Sequence, residues 1–155
     1  MPIAPELRHL YRGPEYEAQR ERIFERDRHQ CKWCSKPNAA RIQTKTGRGR
    51  MFWRLLEMPE GKTAHVQFRA WLNEDGWPMI PEDHEAAMQL GAPRKIAVVL
   101  SMAHLDHDPG NRDDSNVAVL CQWCHLHHDR HQHRKTLVRN RDERRPLCAA
   151  VVAIA

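Results

Sequence analysis

The sequence lacks any long hydrophobic run. Its most apolar stretches, residues 96–100 and 149–155, fall far short of the roughly 20 residues that cross a bilayer, so no membrane helix is expected. The opening segment MPIAPELRHLYRG has no apolar core before a small-residue cleavage site. A secretory signal is therefore not expected, and a cytoplasmic, reducing location is. Glycine is sparse at 7 of 155 residues, with 10 prolines and no internal repeat, which excludes collagen-like and low-complexity chains. A composition of 41% hydrophobic and 29% charged residues also excludes full disorder. The length suits a single domain over residues 1–155.

What is abundant is 11 histidines, 5 cysteines and a net charge of +5, a combination that suggests metal chemistry beside a polyanion. Along the chain, Pro14 at a first-turn position and Glu15 and Glu17 behind it predict a helix from Pro14 to about Asp27. Residues 41–54 carry five Arg/Lys and no acid, and read as a basic loop leading into a strand. Residues 64–72 alternate enough to suggest a strand with Val66, Phe68 and Ala70 on one face. The segment 73–85 is acidic, and a short helix is expected over Pro81 to Leu90. The run Lys95 to Leu100 reads as one buried strand. After a polar loop from Asp106 to Ser115, Ser115 or Asn116 is expected to cap a helix that carries Cys121 and Cys124, or that gives way to a knuckle around them.

Two C-x-x-C pairs, Cys31/Cys34 and Cys121/Cys124, are the strongest signal. Each pair puts two sulfurs on one side of a tight turn, and two pairs supply the four thiolates of a tetrahedral structural Zn²⁺ site. The competing reading, a redox pair, lacks a βαβ pattern around it. Because 86 residues separate the pairs, the metal would staple the N-terminal helix to the C-terminal half. Cys148 stands alone.

Seven of the histidines lie between His104 and His133, where an even spread would put about two. They alternate with Asp106, Asp108 and Asp129 and with Asn116. Imidazole beside carboxylate binds divalent ions, and an unbound histidine takes a proton from water near neutral pH. For His131 and His133 a solvated helix face is the simpler reading.

Arg26-Asp27 ahead of C-x-x-C, then A-H-L-D-H-D-P from Ala103, S-N-V-A-V-L from Ser115, and C-x-x-C-H ending at His125, together resemble the HNH endonucleases of the ββα-metal class, in their zinc-stabilised phage and bacterial form. The resemblance implies an α+β fold: an N-terminal helix and first zinc knuckle (14–36), an inserted α/β segment (37–95), a ββα-metal core with the second knuckle (96–131), and a basic tail (132–155). It implies His104 as the general base, Asn116 as the residue that fixes the loop, and His125 as a ligand of a catalytic Mg²⁺, Mn²⁺ or similar ion. Ala103 departs from the family, where many members carry a metal ligand. Either Asp106 supplies that carboxylate, or the register shifts to an Asp106-His107 pair with His107 as base. The further ligand is Asp129, four residues after His125 and on its face, or His128, three residues after it, with Asp129 preferred.

The implied function is hydrolysis of DNA phosphodiester bonds, with RNA left open and a phage or defence-system protein as a partner. Arg48, Arg50, Arg54, Arg130, Arg134 and Lys135 are the candidate phosphate contacts. The competing class is a zinc-stabilised DNA-binding or phage-packaging accessory module with little or no turnover.

Overall fold

The computed structural model describes residues 5–60 and 70–143. After a 3₁₀ turn over Pro5–Tyr11, α1 spans Pro14–Arg26 with proline in its first turn and Glu15 and Glu17 near its positive end, as the sequence predicts. Its inner face buries Ile23 and Phe24. Its polar face does equally specific work. Arg22 pairs with Asp114, and Gln19, itself buried, donates to the Arg112 carbonyl at 2.8 Å. Arg26 donates to the Val117 carbonyl at 2.7 Å and to both oxygens of Asp27, one of which also accepts the Val119 N–H at 3.0 Å. Helix α1 thus clamps the polar loop and the strand that follows it.

The basic segment 41–54 is not a loop. It forms an antiparallel hairpin of β1 (Arg41–Gly47) and β2 (Arg50–Glu57). Gly47 faces Arg50, so the connection is two residues long, and Arg48 and Gly49 both have positive φ, 50° and 78°. That is the geometry of a type I′ turn, whose twist matches the strands, and it needs glycine or a tolerant residue there. Ile42, Thr44, Met51, Phe52, Trp53 and Leu55 are buried. Residues 70–78 dock on β2 through paired Trp53–Leu72 backbone hydrogen bonds of 2.9 and 2.7 Å. The strand expected over 64–72 otherwise lies outside the described residues. Helix α2 spans Pro81–Met88.

The run expected to be one buried strand is two. β3 (Arg94–Ala97), exposed throughout, pairs with β1 to give the sheet order β2-β1-β3. β4 (Leu100–His104) leaves it to pair antiparallel with β5 (Val117–Cys121). Val98, buried, sits at the break and exchanges backbone hydrogen bonds with Ala39 and Ala40, so it joins the two sheets. The helix expected to be capped by Ser115 or Asn116 is also displaced. Those residues form a 3₁₀ turn over Asp114–Asn116, and the wholly buried β5 intervenes before α3 (Gln122–His128) and α4 (Arg130–Glu143). The architecture is mixed α+β, and no described helix is long and apolar enough to cross a membrane.

Candidate functional site

The four cysteines of the two C-x-x-C pairs are buried, and their sulfurs lie within 4.8 Å of one another. The first knuckle is pinned to β5, which leads into the second, by the Lys32 N–H on the Val119 carbonyl at 2.9 Å. The Cys34 and Cys121 sulfurs stand 3.6 Å apart, too far for a disulfide and close to the about 3.8 Å edge of a tetrahedron with 2.3 Å metal–sulfur bonds. Crowding drives the thiols apart in ionisation. Contact with the Cys121 thiol holds Cys31 well below the ordinary thiol range, while Cys124 is pushed far above it, chiefly by Cys121. Lys36, only 2% exposed, places its Nζ 3.2 Å from the Cys34 Sγ and 4.6 Å over the Trp53 ring. A buried ammonium demands negative charge beside it, which a thiolate set supplies. This cluster can hold a metal ion.

The histidines gather where β4, the polar loop and α3 meet. His104 ends β4 opposite Val117, with Tyr11 edge-on to its ring at 6.1 Å. Burial lowers its pKa below the ordinary histidine value, against the opposing pull of Asp106 and Asp108. His125, on α3, has its Nδ1 2.8 Å from the Ser101 Oγ and its Nε2 3.3 Å from the Asp129 Oδ2. The other oxygen of Asp129 lies 3.3 Å from the His107 Nδ1. The His128 ring stacks on His107 at 4.3 Å, and its Nε2 is 3.3 Å from the His104 carbonyl oxygen. His104, His107, His125, Asp129 and His133 line one open cleft of about 850 Å³.

Asn116 and Asp106 do not join this gathering; they build the loop beside it. Asn116 Nδ2 donates to the Asp106 Oδ1 at 2.9 Å, and Asn116 Oδ1 accepts the Asp106 N–H at 3.1 Å. Asp106 also accepts from the Asp108 N–H at 2.8 Å and from the Asn111 Nδ2 at 2.7 Å. The Asp108 N–H above all, with the two amides, lowers its pKa to about 2. With both oxygens so engaged, Asp106 acts as the anchor of the loop.

Of the candidate phosphate contacts, Arg50 is internally committed. It reaches Glu74 at 2.8 Å and the buried Asp83 at 2.6 Å. The acidic segment that the sequence sets apart is therefore the countercharge of the basic hairpin. Arg54 donates to Gln43 and Arg48 to Gln89. Arg130 contacts His127 and His131, while Arg134 and Lys135 are exposed on α4.

Sequence reasoning missed Lys36 and Tyr11. Lys36 follows Cys34 by two positions, so its neighbourhood was a signal; Tyr11 lies more than 90 residues from His104 and carried none. No family model, curated protein or solved structure matches this chain.

Proposed function

We propose that this chain is a metal-dependent endonuclease of the HNH type that hydrolyses phosphodiester bonds of DNA, with a structural zinc ion held by Cys31, Cys34, Cys121 and Cys124. One observation carries the reading: a strand–loop–strand–helix unit, β4 to α3, brings His104, His125 and Asp129 into one cleft, with Asn116 bracing the loop between the strands. His104 is the general base. Its lowered pKa keeps the ring neutral at neutral pH, ready to accept a proton from an attacking water. Asn116 acts at one remove, holding Asp106 and so the turn that follows His104. His125 and Asp129 are the residues that would hold a divalent ion, and Ser101 fixes which ring nitrogen of His125 faces the cleft. Such an ion would supply charge stabilisation to the phosphate and the leaving oxygen. The exposed bases of α4, Arg134 and Lys135, are suited to the flanking phosphates.

A second reading, a DNA-binding or packaging-accessory module with little turnover, is favoured by one residue. Ala103 is buried at 2% exposure beside the base, where a carboxylate would otherwise contribute to the metal. Supercoiled plasmid incubated with the protein and Mg²⁺, Mn²⁺, Ni²⁺ or chelator separates the two, with a structured RNA as a parallel substrate. Nicking that requires a metal and is lost in His104→Ala supports the nuclease. Binding with no cleavage in any metal supports the accessory module.

A further inference from the structure

Among the described residues two side-chain groups converge tightly enough to hold a metal ion: the four cysteines, and His107, His128 and Asp129, whose ligand atoms all lie within 4.8 Å of one another. We propose that this second group is a divalent transition-metal site, in which the loop delivers His107 to His128 and Asp129 at the end of α3. The proposal rests on the nuclease reading for its role, and Asp129 is the shared residue, one oxygen facing His107 and the other His125.

Three features of the chain converge on it. The first is how His107 is aimed. Its N–H closes a turn onto the His104 carbonyl at 3.1 Å, its φ is +64°, and the Asp106–Asn116–Asn111 network immobilises the residue before it. The outcome is an imidazole nitrogen 3.3 Å from one oxygen of Asp129, whose other oxygen faces His125. The second is how His128 is held. It is stacked against His107, packed edge-on by Trp33 at 5.4 Å, and tied to the end of β4. Two rings are thus fixed side by side against one carboxylate before any ligand arrives. The third is access. The side chains of His107 and Asp129 retain 28% and 25% exposure, which leaves positions open for water or phosphate, as catalytic rather than structural sites require.

The donor set also selects the ion. Two imidazoles and one carboxylate favour the later first-row divalent ions, Mn²⁺ through Zn²⁺, whereas Mg²⁺ and Ca²⁺ prefer all-oxygen shells. The alternative occupant of the geometry is a proton: a charged His107 paired with Asp129 would give the same contact without a metal.

The test uses the full chain with its cysteine site filled by Zn²⁺, titrated with Co²⁺ and followed by the visible d–d bands and by calorimetry. Wild type is expected to bind one further equivalent. His107→Ala, His128→Ala and Asp129→Asn should each weaken that equivalent by more than about tenfold, with zinc content and melting temperature serving as checks of the fold. Mg²⁺ should fail to displace Co²⁺ at comparable concentration. No further equivalent in wild type, or unchanged affinity in a folded His107→Ala, overturns the site. The two readings fail separately: Co²⁺ binding as described with no cleavage of any nucleic acid leaves the site standing without the nuclease. Cleavage by a His107→Ala variant with wild-type metal affinity leaves the nuclease standing without the site.

Discussion

Removing the metal from the cysteine cluster should come close to unfolding the protein. Cys34 and Cys121 are 87 positions apart, and closing a loop of that length by a cross-link reduces the entropy of the unfolded chain by an amount worth about 4.6 kcal/mol at 25 °C. Against a total of about 5–15 kcal/mol for a domain, this is a large fraction. At about 2–4 °C per kcal/mol for a chain of this size, the melting temperature should fall by roughly 10–20 °C. The assay is circular dichroism through thermal melts of loaded protein, of protein stripped by a high-affinity chelator, and of Cys34→Ser. Cys148→Ser, which alters the one cysteine outside the two pairs, is the reference. A stripped protein, shown by elemental analysis to be metal-free, that melts within about 3 °C of the loaded form would refute the staple.

Three further perturbations test the surroundings of the site. Arg50→Ala removes the partner of Asp83, whose side chain is 5% exposed. It should cost on the order of 2 kcal/mol in urea denaturation, below the range for a fully buried pair because Arg50 is 40% exposed; a drop in nucleic-acid binding at unchanged stability would mean that this arginine meets phosphate instead. Asp27 is desolvated, which favours its neutral form, yet the Arg26 guanidinium and the Val119 N–H outweigh this and lower its pKa. Its contribution is therefore full above the ordinary carboxylate pKa and is lost as pH falls through the lowered one, so the urea midpoint of wild type should drop more steeply than that of Asp27→Asn between about pH 5 and 3. Gly76 has φ +86°, and a Cβ there would stand 2.5 Å from the Cys34 carbonyl oxygen. Gly76→Ala should cost more than about 1 kcal/mol and speed metal loss to a chelator, whereas Gly49→Ala, which meets nothing within 4 Å, should leave metal retention unchanged.

The parts of this structure legible in the sequence are those governed by neighbours along the chain. Helix α1 is set by Pro14 and the acids behind it, and the two knuckles by their C-x-x-C spacing. The hairpin of β1 and β2 is masked by its charge: Ile42 and Thr44 are buried while Arg41 and Lys45 are not, and the Gly-Arg-Gly step is the turn signal. The apolar run at 95–100 is uniform in composition, but its partner changes at Val98 from β1 to β5, and no local pattern encodes a change of partner. A fully buried strand such as Val117–Cys121 shows no alternation, so sequence pattern does not separate it from a helix. At the site, the histidines stood out by their density, but the placement of Asp129 between His107 and His125 depends on a turn with positive φ and on α3 packing beneath β4. The pairing of Arg50 with Glu74 and Asp83 likewise joins segments that composition alone had separated by sign.

A four-cysteine cluster divided between Cys34 and Cys121 also has a timetable. During synthesis at about 5–20 residues/s, the second half-site follows the first by roughly 4–17 s, and until then Cys31 and Cys34 are a two-thiol half-site with no intramolecular complement. On a crowded messenger the nearest complement belongs to the chain ahead. A Cys121/Cys124 pair there that has not yet closed on its own first pair would meet the younger chain's sulfurs with the same donor set, and a shared ion would then cross-link two molecules. Fast expression in zinc-rich medium should enrich such a cross-linked dimer on size-exclusion chromatography, and slow expression the monomer.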